Sequence, residues 1–207
     1  PLLLLGQGVT LGGAEKEVLA LMEKAEIPAA STLLGLSSIP TSHPLNMGMI
    51  GMHGNVAPNV MTNECDLLIA VGMRFDDRVT AVLDTYAKQA KKIHFDIDPS
   101  EFNKNVMVDL AVLGNSKESI AAVTEYVNKT EHKEWLKMFE RPRAEEQAKV
   151  IDPEIAPEEG PLKMGEVVSR VSKYTNNSAV IVTDVGQNQM MGVRYSGYSQ
   201  PRSVITS

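Results

Sequence analysis

The stretch Gly72-Met73-Arg74-Phe75-Asp76-Asp77-Arg78-Val79 concentrates the most suggestive chemistry in the chain. Two arginines four residues apart, with two aspartates between them, can hold each other by paired charge-assisted hydrogen bonds. Their planar guanidinium groups can also donate to phosphate or lie against a flavin ring. The alternative is a surface ion-pair cluster without a ligand. The stretch follows the apolar run Leu67–Val71 and so should stand at the carboxyl edge of a sheet, which favours ligand binding. Asp96-Ile97-Asp98-Pro99 closes the next apolar run. There Asp96 can accept from a ribose or ribityl hydroxyl while Asp98 caps a short helix opened by Pro99. Gly6-Gln7-Gly8, after Leu2–Leu5, can bring backbone amides to a phosphate or serve only as a strand-to-helix turn. The full dinucleotide fingerprint is not met, because Leu11 occupies the third glycine position. Gly48-Met49-Ile50-Gly51-Met52-His53-Gly54 pairs glycines, which let backbone approach a flat ligand, with methionines that pack softly on rings. His53 and His43 lack a partner nearby in sequence and read as ordinary hydrogen bonders. Cys65 reads as a buried, inert thiol, and no spacing of Cys, His and acids suggests a metal site.

These residues need elements to position them. Leu2–Leu5, Ile27–Thr32, Leu67–Val71, Ile93–Ile97 and Leu110–Leu113 read as strands. Ala14–Ala25 and Lys117–Val127 carry apolar residues at helical spacing, and Val79–Gln89 does so weakly. Leu33–Pro58 shows no clear period and reads as a long loop. Strands separated by helix-length crossovers imply a doubly wound α/β domain, with a parallel sheet and helices on both faces, over about residues 1–130. Residues 131–161 read as a charged helix, Glu131–Lys149, followed by an extended linker at Ile151–Pro161. A second, incomplete α/β unit opens at residue 162, with a helix at Met164–Tyr174 and a strand at Ala179–Thr183. That strand is expected to lack sheet neighbours, and so to fray, to dock on the first domain or to drive dimerisation.

Composition narrows the classes. Twenty Lys and Arg against 26 Asp and Glu give a net charge of −6, which argues against general nucleic-acid binding. One cysteine excludes an intramolecular disulfide framework and fits a reducing, cytoplasmic compartment. No apolar run reaches the length of a membrane span. Pro1-Leu2-Leu3-Leu4-Leu5 lacks the basic flank of a signal peptide. Both ends fall in apolar runs and read as cuts from a longer polypeptide.

Several segments together resemble the catalytic large subunit of the acetohydroxyacid synthase (acetolactate synthase) family. They are Pro40-x-x-His43-Pro44, the 48–54 segment, Cys65 through Thr80 with its Arg-Phe-Asp-Asp-Arg-Val core, and His94-Phe95-Asp96-Ile97-Asp98-Pro99. Asp184-Val185-Gly186-Gln187-Asn188-Gln189-Met190 is similar to the start of that family's third domain. The resemblance implies three α/β domains per subunit, with FAD on the middle one and thiamine diphosphate with Mg²⁺ held by the other two. It implies decarboxylation of pyruvate and transfer of the two-carbon unit to pyruvate or 2-oxobutyrate, the first step of branched-chain amino-acid synthesis. FAD has no net redox role in that reaction. The implied partners are 2-keto acids, a second catalytic subunit in a dimer or tetramer, and a regulatory small subunit.

For individual residues the resemblance implies FAD contacts at Gly6, Gly8, Thr32 and Leu33, along the ring at Ile50, Gly51, Met52 and His53, and at Gly72, Arg74, Asp76, Arg78 and Val79. It places the adenosine end at Asp96, Ile97, Gly114, Asn115 and Ser116, and thiamine diphosphate at Gly186, Gln187 and Asn188. The sequence departs from the family at Gln7 in the glycine turn, at Asn115 where Asp is usual, and at Asn188 where His is usual. The glutamate that activates thiamine and the metal-binding segment have no match in residues 1–207, so this piece is expected to be inactive alone, with no catalytic residue of its own. Competing readings are a stand-alone flavin- or nucleotide-binding module, another thiamine-diphosphate enzyme such as a glyoxylate carboligase or pyruvate oxidase, and an NAD-linked oxidoreductase.

Overall fold

The computed structural model describes residues 1–206. In chain order the first region runs β1 (Leu2–Leu5), α1 (Gln7–Gly12), α2 (Glu15–Ala25), β2 (Ala29–Ser31), β3 (Asn46–Met49), α3 (Val56–Thr62), β4 (Leu67–Val71), α4 (Asp77–Thr80), β5 (Lys91–Asp96), β6 (Leu110–Leu113) and α5 (Ser116–Tyr126). It continues through α6 (Lys133–Met138), α7 (Glu140–Glu146) and α8 (Asp152–Ile155) to α9 (Met164–Tyr174), β7 (Ile181–Thr183), α10 (Gln187–Tyr195) and β8 (Val204–Thr206). A six-stranded, all-parallel sheet has the order β3-β2-β1-β4-β5-β6.

The sheet is parallel because its central strands are apolar on both faces, which forces helices to cover both. In β1 the side chains alternate between two cores. Leu2 and Leu4 pack with Leu68, Ala70, Met61, Phe75 and Phe139. Leu3 and Leu5 pack with Ile69, Val71, Val18, Met22 and Ile120. Helix α2 turns Val18, Leu21, Met22 and Ala25 inward, with Glu15 and Glu17 in its first turn and Lys24 in its last, matching the helix dipole.

The structure corrects several expectations. The supposed loop Leu33–Pro58 contains a 3₁₀ turn at Leu33–Gly35, the edge strand β3 and the start of α3. Strand β3 escapes pattern reading because Gly48 sits at φ 99° and its register with β2 shifts. Val79–Gln89 is not one helix but α4 and a 3₁₀ turn at Leu83–Thr85. Helix α1 forms where glycines obscured it. The linker Ile151–Pro161 is extended only in part, since a π-helical turn at Gln147–Ile151 leads into α8.

Strand β7 does not lack a neighbour: it pairs in parallel with β8 through the α10 crossover. This two-stranded unit docks on the first region. Arg202 Nη2 donates to Thr10 O at 2.8 Å, Tyr198 N to Thr41 Oγ1 at 2.9 Å, and Ser203 N to Ser37 Oγ at 3.0 Å.

Candidate functional site

The strand order reverses between β1 and β4: from β1 the chain winds outward to β3, and from β4 outward to β6. In open α/β sheets such a switch point leaves a crevice at the carboxyl ends of the strands. Backbone hydrogen bonds knit it closed underneath, with Gly6 N donating to Val71 O, Gly8 N to Gly72 O and Gly72 N to Phe95 O, at 2.8–2.9 Å. A β-carbon on Gly6 would lie 2.2 Å from Gly72 O, and one on Gly8 2.5 Å from Gly72 Cα. Both glycines are therefore needed for the close approach of the two strand ends. Gly8 also lines the crevice, whereas Gly6 lies beneath it.

The crevice holds about 680 Å³, within the range of small-molecule sites. On the β2 side it is walled by Thr32 and Leu33, and at the switch by Gly8, Gly72, Arg74 and Asp76, with Arg78 and Val79 following. On the β6 side stand Asp96, Ile97, Asn115 and Ser116. Gly114 does not line it; its N–H closes the sheet end by donating to Asp96 O at 3.0 Å.

Asp76 organises the arginine loop. Its Oδ1 caps α4 by accepting from Arg78 N at 3.1 Å and Val79 N at 3.2 Å. Its Oδ2 accepts from Arg74 Nε at 3.2 Å. The expected mutual pairing of two arginines with two acids is thus realised for Arg74 and Asp76 alone; Asp77 and Arg78 make no ion pair among the described residues. The Arg74 side chain is 70% exposed, and among the described residues its terminal amines have no hydrogen-bond partner, which leaves them for an anion.

Asp96 sits at the end of β5. Its Oδ1 accepts from Asp98 N at 2.9 Å, and its Oδ2 lies 3.5 Å from His94 Nε2. Burial works to raise its pKa, but the hydrogen bonds from His94 and from the Asp98 and Ile97 amides outweigh burial and hold the carboxyl below its ordinary value. His94, fully buried, also places its Nε2 2.7 Å from Met73 O. Asp98 does cap the short helical turn Pro99–Glu101, through Ser100 N at 2.9 Å. Asn115 Oδ1 caps α5 through Lys117 N, and Ser116 Oγ donates to Gly8 O at 2.7 Å, tying α5 to α1.

A second cavity of about 500 Å³ shares Leu33, Arg78 and Val79 with the first. Ile50, Met52 and His53 form one wall, and Val185, Gly186, Gln189 and Met190 from the α10 side form the other. Gly51 does not line it but holds the turn: a β-carbon there would lie 2.7 Å from Arg78 O, and Asn59 clamps both its N–H and its C=O at 2.9 Å. Gln187 and Asn188 are exposed at the start of α10 and line neither cavity. Sequence reasoning missed Leu11, Gly12, Leu34, Met73 and Glu101 as crevice residues, and did not assign Gln7 to it as a wall. The signal available for Leu11 was its spacing four residues after Gln7, which sets both on one face of a helix. Among the described residues no cluster of His, Cys, Asp and Glu could hold a metal, and no helix is long and apolar enough to cross a membrane.

Residues 1–123 match the family described as thiamine pyrophosphate enzyme, central domain. The chain is similar over its full length to a probable acetolactate synthase large subunit of Methanocaldococcus jannaschii, at 38% identity over 217 residues and 36% of that protein. It is likewise similar to the acetolactate synthase large subunit of Lactococcus lactis, at 37% over 209 residues and 35% of that protein. The same name belongs to a relative in Parasynechococcus marenigrum, at 38% over 208 residues and 33% of its length. The chain thus spans about a third of the length of the curated relatives it matches. A parallel sheet with a switch-point crevice, and a family match across that sheet, lead to one assignment: the chain belongs to the thiamine pyrophosphate enzymes, and its first 123 residues are their central domain.

Proposed function

We propose that this chain is the FAD-holding middle of an acetolactate synthase catalytic subunit, and that residues 162–207 open the domain that carries thiamine diphosphate. The observation that carries the reading is the similarity to acetolactate synthase large subunits along all of this chain, not the central domain alone. In this reading residues 1–130 are the flavin domain and 131–161 the connection.

The crevice fits the cofactor's chemistry. Gly8 and Gly72 leave bare backbone at the switch point, where a diphosphate can approach. The free terminal amines of Arg74 supply charge-assisted donors to that diphosphate. Asp96 keeps its charge and accepts from ribose or ribityl hydroxyls. Asn115 presents its side-chain amide at the adenosine end while its oxygen caps α5. Leu33, Arg78 and Val79 line both cavities, so a ring reaching past them would meet Ile50, Met52 and His53. Bound there, FAD supplies a flat aromatic wall with no net redox change. At the start of α10, Gly186, Gln187 and Asn188 are exposed, and their N–H groups would be the donors to thiamine diphosphate in this reading. That cofactor supplies carbanion chemistry. This chain's residues would shape the approach of the 2-keto acids without performing the proton transfer.

The whole protein would condense pyruvate with pyruvate or 2-oxobutyrate, use Mg²⁺, act in the cytoplasm as a dimer or tetramer, and bind a regulatory small subunit. The test is titration of the purified chain with FAD, followed by flavin fluorescence and visible absorption. Saturable quenching that excess ADP reverses supports the reading. A chain that leaves the flavin spectrum unchanged at millimolar FAD overturns the FAD assignment, and the stand-alone nucleotide-binding module then becomes the better account if ADP alone binds.

A further inference from the structure

The turn that carries Met52 and His53 is fastened from outside the first region. Arg194, on α10, donates through Nη1 to His53 O and Gly54 O, each at 3.0 Å. Its Nη2 donates to Glu146 Oε1. Glu146, at the end of α7 and only 5% exposed, accepts from Val56 N at 2.9 Å through its other oxygen and from Asn55 Nδ2 at 3.3 Å. Asn55 in turn closes the base of the turn, since its N–H donates to Met49 O at 2.7 Å and its Oδ1 accepts from Met49 N at 2.9 Å. Three separate stretches of chain, 46–56, α7 and α10, therefore meet at one mostly buried ion pair.

The two residues satisfy groups that nothing else among the described residues reaches. The carbonyls of His53 and Gly54 accept no other hydrogen bond among those described, and Val56 N is a first-turn donor of α3 whose own cap residue, Asn55, makes no side-chain cap. The rest of the turn is held locally: Met52 N donates to Arg78 O at 2.8 Å, and Asn59 clamps Gly51. The Glu146–Arg194 pair fixes the remaining side, and it does so only when α10 is docked.

We propose that Glu146 and Arg194 are positioning residues that hold the Ile50–Gly54 turn against Arg78 and so set the cavity wall formed by Met52 and His53. The pair couples the seating of the α10 unit to the shape of that wall. Its meaning for cofactor binding rests on the flavin reading above; the clasp itself rests on geometry alone. A buried carboxylate and guanidinium are retained together because either one left unpaired would be strongly unfavourable. Arginine is required because its fork reaches two carbonyls and a carboxylate at once, whereas a lysine ammonium gathers its three donors at one compact nitrogen.

The experiment uses the full 207-residue chain, with backbone amide hydrogen exchange read by NMR in parent, Arg194→Lys, Glu146→Gln and Thr41→Ala. Arg194→Lys keeps the buried charge balanced and is expected to melt like the parent. It should nevertheless raise exchange at Gly51, Met52, Gly54, Asn55 and Val56 about tenfold, with β1 and β4 unchanged. Glu146→Gln should raise exchange most at Val56. Thr41→Ala, which removes a different contact of the docked unit, should leave the turn unchanged. Exchange across Gly51–Val56 that stays within about twofold of the parent in both clasp variants overturns the proposal. So does an equal rise in Thr41→Ala, which would show that docking in general protects the turn. These readouts need no ligand, so failure of the chain to bind FAD would refute the flavin reading and leave the clasp decided. If FAD binds, Arg194→Lys should also shift the flavin absorption envelope.

Discussion

Replacing Arg74 with alanine separates a ligand-binding guanidinium from a structural ion pair. The side chain is 70% exposed, and its bond to Asp76 spans 3.2 Å. An exposed pair of this kind stabilises a fold by about 0–1 kcal/mol. In a chain of this size 1 kcal/mol shifts the melting temperature by roughly 2–4 °C, so the ligand-free variant should melt no more than about 4 °C below the parent. A charge-assisted bond to the cofactor diphosphate contributes about 1.5–3 kcal/mol, which corresponds to an affinity loss of roughly ten- to a hundredfold. Two titrations and two melts decide the matter: flavin fluorescence quenching for parent and Arg74→Ala, and circular dichroism of both without FAD. Equal FAD affinity refutes the reasoning. A melting loss well beyond that bound, with affinity falling only in proportion, shows that Arg74 belongs to the fold.

Ala81 holds φ 51° and ψ −109°, a backbone region that side chains rarely adopt. Relief of about 1–3 kcal/mol of strain should exceed the roughly 0.4–1 kcal/mol entropic cost of glycine, so Ala81→Gly is expected to raise the melting temperature; a lower value counts against the strain. Cys65 is buried and its thiol is pushed up to about 11, chiefly by burial, so it should resist alkylation at neutral pH until the chain is unfolded in denaturant; rapid native labelling would contradict its placement. Asp96 has a folded pKa below its unfolded value, so it contributes stability that is full above the unfolded value and fades as pH falls through the folded one. Asp96→Asn should therefore flatten the acid limb of the stability profile below about pH 4, and an unchanged slope would remove Asp96 from the account. The chain alone, supplied with pyruvate, FAD, thiamine diphosphate and Mg²⁺, should form no acetolactate, which a colorimetric product assay would check.

The strands that were legible in the sequence are those buried on both faces. Leu2–Leu5 and Leu67–Val71 are uninterrupted apolar runs because helices cover both sides, and that signal needs no context. Strand β3 was hidden because its alternate residues are only half-buried at the sheet edge and Gly48 breaks the backbone regularity. Helix α1 was hidden because Gly8 and Gly12 favour a turn reading, yet tight packing of Gly8 on Gly72 decides the conformation. The arginine loop was visible from its residue types and its place after a strand. Glu146 and Arg194 carried no signal, since their partners lie about 50 to 140 residues away in the chain and are brought together only by the packing of α7 on α3 and the docking of α10.

The reversal of strand order between β1 and β4 also governs how the molecule is assembled in time. Strands β1, β2 and β3 are close in the chain, as are β4, β5 and β6, so each trio can form from comparatively local encounters. The seam between them pairs Leu2 with Leu68 and Leu5 with Val71, and it closes only after a long loop of chain has been ordered. The crevice at that seam, with its Gly8–Gly72 floor, does not exist in either trio alone. A small molecule seated there finds its site only after the two halves have joined. Because it binds only the joined form, it should stabilise the native state and slow unfolding.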